Sequence, residues 1–199
     1  MIDVSNFELL NVADTCSLWN VLASRLLSAT ATEAGVQLCS TNFVLYECLH
    51  KPGQLRPERV ELQSRLRQKL ASGSIKSHSI DIEDLQDVEV LRNRKRISNG
   101  ELSVIVFARK THQAVLTDDI KAQKLARSEL AANMTQSTPH LFAWLYFHGR
   151  LNDSDKDTVV SELEVLGRRL QPHFDNLHAE AQRCRVTAKP AMDTRIRSR

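Results

Sequence analysis

Apolar residues along this chain follow two alternating rhythms: short, mostly apolar runs, and longer stretches spaced at threes and fours. Short, mostly apolar runs suit strands buried on both faces, and three-and-four spacing marks one face of a helix. The first run, Leu9 to Ala13, is bounded by Asp14 and predicts a strand. Ser17 to about Ala31 predicts a helix with Leu18, Trp19, Leu22, Leu26 and Leu27 on one face. Gly35 ends it. Val36 to Cys39 predicts a second strand, and Thr41 to His50 a helix closed by Lys51-Pro52-Gly53. Pro57, suited to the first turn, leads a charged helix from Glu58 to Ala71 with Val60, Leu62, Leu66 and Leu70 as its apolar positions. Ser72-Gly73-Ser74 interrupts the pattern, and Ile75 to Ile80 predicts a third strand.

Residues 82–95 predict a helix that is acidic early and basic late, the polarity that suits the helix dipole. Ser98-Asn-Gly-Glu101 opens an apolar helix, Leu102 to Lys110. Ala114 to Thr117 predicts a fourth strand, and Asp118-Asp119 begins a helix from Ile120 to about Leu130. Strands alternating with helices through short connections predict an α/β fold with a central, mainly parallel, four- to five-stranded sheet flanked by helices. Beyond it, 138–149 and 153–184 read as helices. The expected organisation is a core over 1–135, a C-terminal helical extension over 136–186 packed on that core, and a basic tail over 187–199 expected to be disordered.

Composition narrows the class. With 42% hydrophobic and 26% charged residues the chain has the balance of a globular protein. Aromatic content of 5% argues against a broad base-stacking platform. The net charge of +3 permits a nucleic-acid partner without requiring one. No run approaches the ~20 apolar residues of a membrane helix, and the N-terminus has no signal-peptide pattern. A cytoplasmic chain without a membrane partner is therefore expected. Cys16, Cys39, Cys48 and Cys184 form no CxxC or Cys/His cluster and read as reduced thiols.

The candidate chemistry lies in the acids. Asp14 and Asp119 each follow a strand where a helix begins, so both point to the rim on which open α/β sheets bind ligands. Glu101 begins the helix that leads into the fourth strand. Glu47 sits among Phe43, Val44, Leu45, Tyr46, Cys48 and Leu49, in a helix apolar nearly all round, and is expected to be buried and in need of a partner. Each acid also has a local explanation. Asp14 and Asp118 suit helix N-caps, Ser98-x-x-Glu101 is a capping box, and Asp119 suits a helix N-terminus. Taken together, such carboxylates repel unless a cation neutralises them. All-oxygen ligands select Mg²⁺ or Mn²⁺, which can activate a bound water.

The stretches Ala13-Asp-Thr-Cys-Ser-Leu-Trp19, Phe43-Val-Leu-Tyr-Glu-Cys-Leu49, Gly100-Glu-Leu-Ser-Val-Ile-Val-Phe-Ala108 and Leu116-Thr-Asp-Asp-Ile-Lys-Ala-Gln-Lys-Leu-Ala126 resemble, in order and spacing, the PIN-domain family, including toxin nucleases of VapC type. The resemblance spans roughly residues 9–135. It implies a PIN-like core and a metal-dependent endoribonuclease that leaves 5′-phosphate and 3′-hydroxyl ends. It also implies Asp14, Glu47, Glu101 and Asp119 as catalytic acids, joined by Asp118 as metal ligands, with Thr15, Ser17 and Thr117 in support. RNA as substrate, an antitoxin or other protein partner, and a homodimer come with it as candidate partners. The longer helical C-terminus departs from the compact toxins, which puts the standard dimer and antitoxin groove in question.

Arg92, Arg94, Lys95 and Arg96 precede the Glu101 helix and are candidates for holding RNA phosphates, or for a solvated helix end. Lys51, Arg56, Arg59, Arg65, Arg67 and Lys69 form a second group, either an RNA-tracking face or a charged helix exterior. Trp19, Trp144, Tyr146 and Phe147 read as packing residues. The alternative function is a non-catalytic PIN-like module for RNA binding or protein interaction. A phosphate-binding α/β enzyme is disfavoured because no Gly-rich loop of GxGxxG or Walker type is present.

Overall fold

The structure, a computed structural model, describes residues 3–52, 56–92 and 97–188. Strands β1 (Leu10–Ala13), β2 (Gln37–Thr41), β3 (Ile75–His78), β4 (Ala114–Leu116) and β5 (Thr135–Gln136) form one all-parallel sheet in the order β3-β2-β1-β4-β5. Ala114, Val115 and Leu116 of β4 are all buried, as are Leu38 to Thr41 of β2. Successive side chains on a strand face opposite ways, so unbroken burial means that both faces are covered.

Helix α6 (Asn99–Thr111) touches β1, β2 and β4 and packs beside α3 (Asn42–Leu49), α5 (Ile82–Arg92) and α7 (Ile120–Glu129). Being surrounded, it is apolar on most sides: Leu102, Val104, Ile105, Val106 and Ala108 are all buried. A second group gathers around α1 (Thr15–Ala23) and α2 (Arg25–Glu33). It comprises α4 (Pro57–Ala71), α8 (Thr138–Phe147) and α9 (Asp153–Val165), and α10 (Gln171–Ala188) packs on α8 and α9. The extension is fastened to this group by Glu162, whose Oε2 accepts from the Ser24 hydroxyl at 2.6 Å and the Leu26 amide at 3.3 Å. Among the described residues, no helix is long and apolar enough to cross a membrane.

Several sequence expectations are corrected. The stretch Ser17 to Ala31 is two helices, because Ser24 leaves helical geometry and caps α2 by accepting from the Leu27 amide at 3.0 Å. The carbonyls freed at the end of α1 are bonded by Arg65 Nη1, 2.9 Å from Leu22 O and 2.8 Å from Ala23 O. The sheet has the upper of the four to five strands expected, its fifth, β5, being only two polar residues long and not assigned from the sequence. The stretch 153–184 divides near Gly167, whose φ of 71° ends α9, and α10 runs on to Ala188. The tail from 189, and residues 93–96 at the end of the expected 82–95 helix, lie outside the described residues.

Candidate functional site

From β1 the chain builds β2 and β3 on one side, then returns to build β4 and β5 on the other. The direction of winding reverses between β1 and β4, the point at which open α/β sheets form a crevice beyond the carboxyl ends of their strands. Ala13 pairs with Leu116, so Asp14 and Thr117 stand side by side at that point.

Asp14 is 1% exposed. It caps α1: Oδ1 accepts from the Ser17 amide at 2.8 Å and meets the Ser17 hydroxyl, while Oδ2 accepts from the Thr117 hydroxyl. Burial pushes its pKa up to about 6, against the pull of these hydrogen bonds, and the neighbouring charge of Asp118 adds to the rise. Ser17 Oγ also meets the Leu116 carbonyl. One hydroxyl proton cannot serve both oxygens. A proton on Asp14 would complete the pair, and burial extends that protonated state up to about pH 6.

The other acids follow along a string of contacts. Thr117 Oγ1 accepts from the Asp119 amide at 3.2 Å. Asp119 caps α7, its Oδ1 accepting from the Lys121 and Ala122 amides at 2.8 and 2.9 Å. Thr15, next to Asp14, donates to Glu47 Oε2 at 2.8 Å. The Glu47 carboxylate lies against Gly100, where an added Cβ would stand 2.6 Å from Oε2. Glu47 is half-buried and Tyr46 beside it is 56% exposed, so the expectation of a mostly buried helix is corrected. Glu101 closes the capping box, accepting from the Ser98 amide at 2.9 Å.

Asp118 does not cap α7. Its Oδ1 accepts from the Thr138 amide at 2.8 Å, its Oδ2 from the Thr138 hydroxyl and from Asn20 Nδ2 at 2.7 Å. It thereby ties the start of α8 to α1, with both oxygens engaged. Asn20, 1% exposed, accepts in turn from Arg168 Nε.

Among the described residues, no ion pair involves any of these five acids. They are strung together through hydroxyls and backbone rather than clustered. Among the described residues, no group of three or more His, Cys, Asp or Glu is placed to hold a metal ion. The donor chemistry nonetheless fits a hard cation: oxygen ligands only, led by a buried carboxylate paired with no cation among the described residues.

Outside the crevice a cleft of about 500 Å³ is lined by Thr15, Trp19 and Glu47, by Lys51, Arg59 and Arg168, and by neighbours including Arg56 and Glu58. The first half of the α4 basic group therefore faces the cleft, while Arg65 is spent on the end of α1. Trp19 is partly buried against the core and forms part of the cleft wall. Arg92 is exposed and pairs with Glu89 at 3.3 Å. Arg94, Lys95 and Arg96 lie outside the described residues.

Sequence reading missed Asn20, Thr138 and Arg168. Asn20 left one signal, a polar residue in the otherwise apolar run Leu18-Trp-Asn-Val-Leu22, since a buried amide needs fixed partners. Arg168 arrives from a distant turn and left none. No family model matches this sequence, and no curated protein matches it significantly.

Proposed function

We propose that the chain is a divalent-metal-dependent endoribonuclease of PIN type. The observation that carries this reading is Asp14: a buried carboxylate at the switch-point crevice, beside Thr117 and Asp119, bridged by Thr15 toward Glu47, and paired with no cation among the described residues. Asp14, Glu47, Glu101 and Asp119 would hold Mg²⁺ or Mn²⁺. When bound, such an ion supplies an activated water and offsets phosphate charge. The chain's own residues orient the acids: Thr117 and Ser17 fix Asp14, Thr15 and Gly100 fix Glu47, and Ser98 fixes Glu101. The cations of the cleft suit the phosphates of a strand leading to the acids. An antitoxin partner and a homodimer belong to the same reading through the sequence resemblance alone.

That no three of these acids are grouped to hold an ion among the described residues favours a second reading, a non-catalytic PIN-like module that binds RNA or a protein. One experiment separates the two. Purified protein should cleave single-stranded RNA with Mn²⁺ or Mg²⁺, lose that activity in chelator, and lose it in the Asp14→Asn variant. Intact RNA at every metal concentration, with no rise in melting temperature on adding Mn²⁺, would leave only the module.

A further inference from the structure

Arg168 belongs to the turn between α9 and α10, far in sequence from every acid of the crevice. Gly167, in the left-handed region at φ 71°, turns the chain back, and the Arg168 amide bonds to Leu163 O at 2.8 Å. The side chain is half-buried and reaches α1, where Nε donates to Asn20 Oδ1 and Nη2 to Cys16 O at 3.4 Å. Both acceptors are neutral. The nearest acid in this network, Asp118, is separated from the guanidinium by the Asn20 amide. Among the described residues, Arg168 makes no ion pair.

A guanidinium has five N–H donors. The two engaged here fix its plane; among the described residues the other three pair with no carboxylate, and the side chain lines the cleft that contains Thr15 and Glu47. A fixed, unneutralised fork is suited to bidentate contact with a phosphate. Lys51 and Arg59 border the same space, and Arg59 is held over the end of α3 by its bond to Lys51 O at 2.8 Å.

We propose that Arg168, contributed by the C-terminal extension, binds a backbone phosphate of single-stranded RNA in the cleft beside Glu47, so that the extension forms part of the substrate site. This rests on the ribonuclease reading. It adds a binding residue outside the region that resembles the PIN family.

The test uses the full chain in chelator, so that RNA is bound without being cut, with a labelled ten-nucleotide single-stranded RNA followed by anisotropy. Arg168→Met should weaken binding about tenfold and reduce the magnitude of the salt-dependence slope by about 0.7, the loss of one phosphate contact on a single strand. Arg168→Lys should recover most of the salt dependence and part of the affinity. Because Arg168→Met also removes two structural hydrogen bonds, a measurement on the wild type stands beside it: RNA should protect Arg168 from phenylglyoxal, read by peptide mass. Unchanged binding and slope in Arg168→Met, or labelling of Arg168 indifferent to saturating RNA, overturns the proposal while leaving the nuclease reading intact. Wild-type protein that neither binds nor cuts RNA removes both.

Discussion

At Asp14, the group that would serve catalysis is one that the fold bears at a cost. A carboxyl raised from 3.8 to about 6 binds its proton more tightly in the folded chain than in the unfolded one. Its contribution to stability is complete below about pH 4 and is lost as the pH rises to about 6, an effect of about 3 kcal/mol. Asparagine is neutral at every pH, as the protonated carboxyl is, and its oxygen can still accept from the Ser17 amide. In metal-free buffer Asp14→Asn should match the wild type near pH 4 and exceed it by up to about 3 kcal/mol at pH 7.5. Urea unfolding across that range measures the difference, and a constant gap would contradict the burial argument. The variant should be more stable and inactive, as expected where a site is held against stability. Gly100 gives a complementary test. Alanine there gains about 1 kcal/mol in helix propensity but meets Glu47 Oε2 at 2.6 Å. The flexible carboxylate must move, so Gly100→Ala should keep or raise the melting temperature while cutting RNA cleavage sharply.

Among the elements, α8 is positioned by a residue outside it. Asp118 takes the Thr138 amide and hydroxyl, while Ser137 caps the same helix locally through the His140 amide. An asparagine at 118 would set an amide NH₂ against either the Asn20 NH₂ or the Thr138 amide. Asp118→Asn should therefore cost about 2 kcal/mol of stability in chemical denaturation, with little change in the Mn²⁺ concentration required for cleavage. A large shift in metal requirement with unchanged stability would make Asp118 a ligand instead. Elements of this kind differ in how far sequence reveals them. The strands β1, β2 and β4 were legible because a strand covered on both faces concentrates apolar residues in a short run, complete in Ala114–Leu116 of β4 and interrupted only by single polar residues, Asn11 and Gln37, in the runs that mark β1 and β2. Strand β5 was not, since Thr135 and Gln136 are polar and are held by backbone bonds to β4, Val115 N to Met134 O at 2.8 Å and Thr117 N to Gln136 O at 3.0 Å. The break at Ser24 was hidden because its stabilising partners, Arg65 and Glu162, lie in other helices. Asp14 and Asp119 could be read as strand-end acids, but their hydroxyl intermediaries depend on pairings between distant segments.

Across the whole molecule, the C-terminal helices share one core with the sheet. Leu163 and Phe174 of the extension are buried in the same cluster as Leu27 of α2 and Phe142 of α8. Burying a large apolar side chain contributes about 2 kcal/mol, and total stability is only about 5–15 kcal/mol. A chain ended at Arg150 loses Val159, Leu163, Phe174 and Ala181 from that cluster and uncovers their neighbours. It should fail to give a cooperative thermal transition, whereas the full chain should unfold in a single step by calorimetry. Two separated transitions in the full chain would show that the extension folds independently.

The bare α-carbon at position 100 reaches beyond this one chain. Where homologous sequences carry a bulkier residue at that position, the acid opposite should have shortened to aspartate or retreated by other means. Linked variation between positions 47 and 100 would then trace descent where overall likeness has faded.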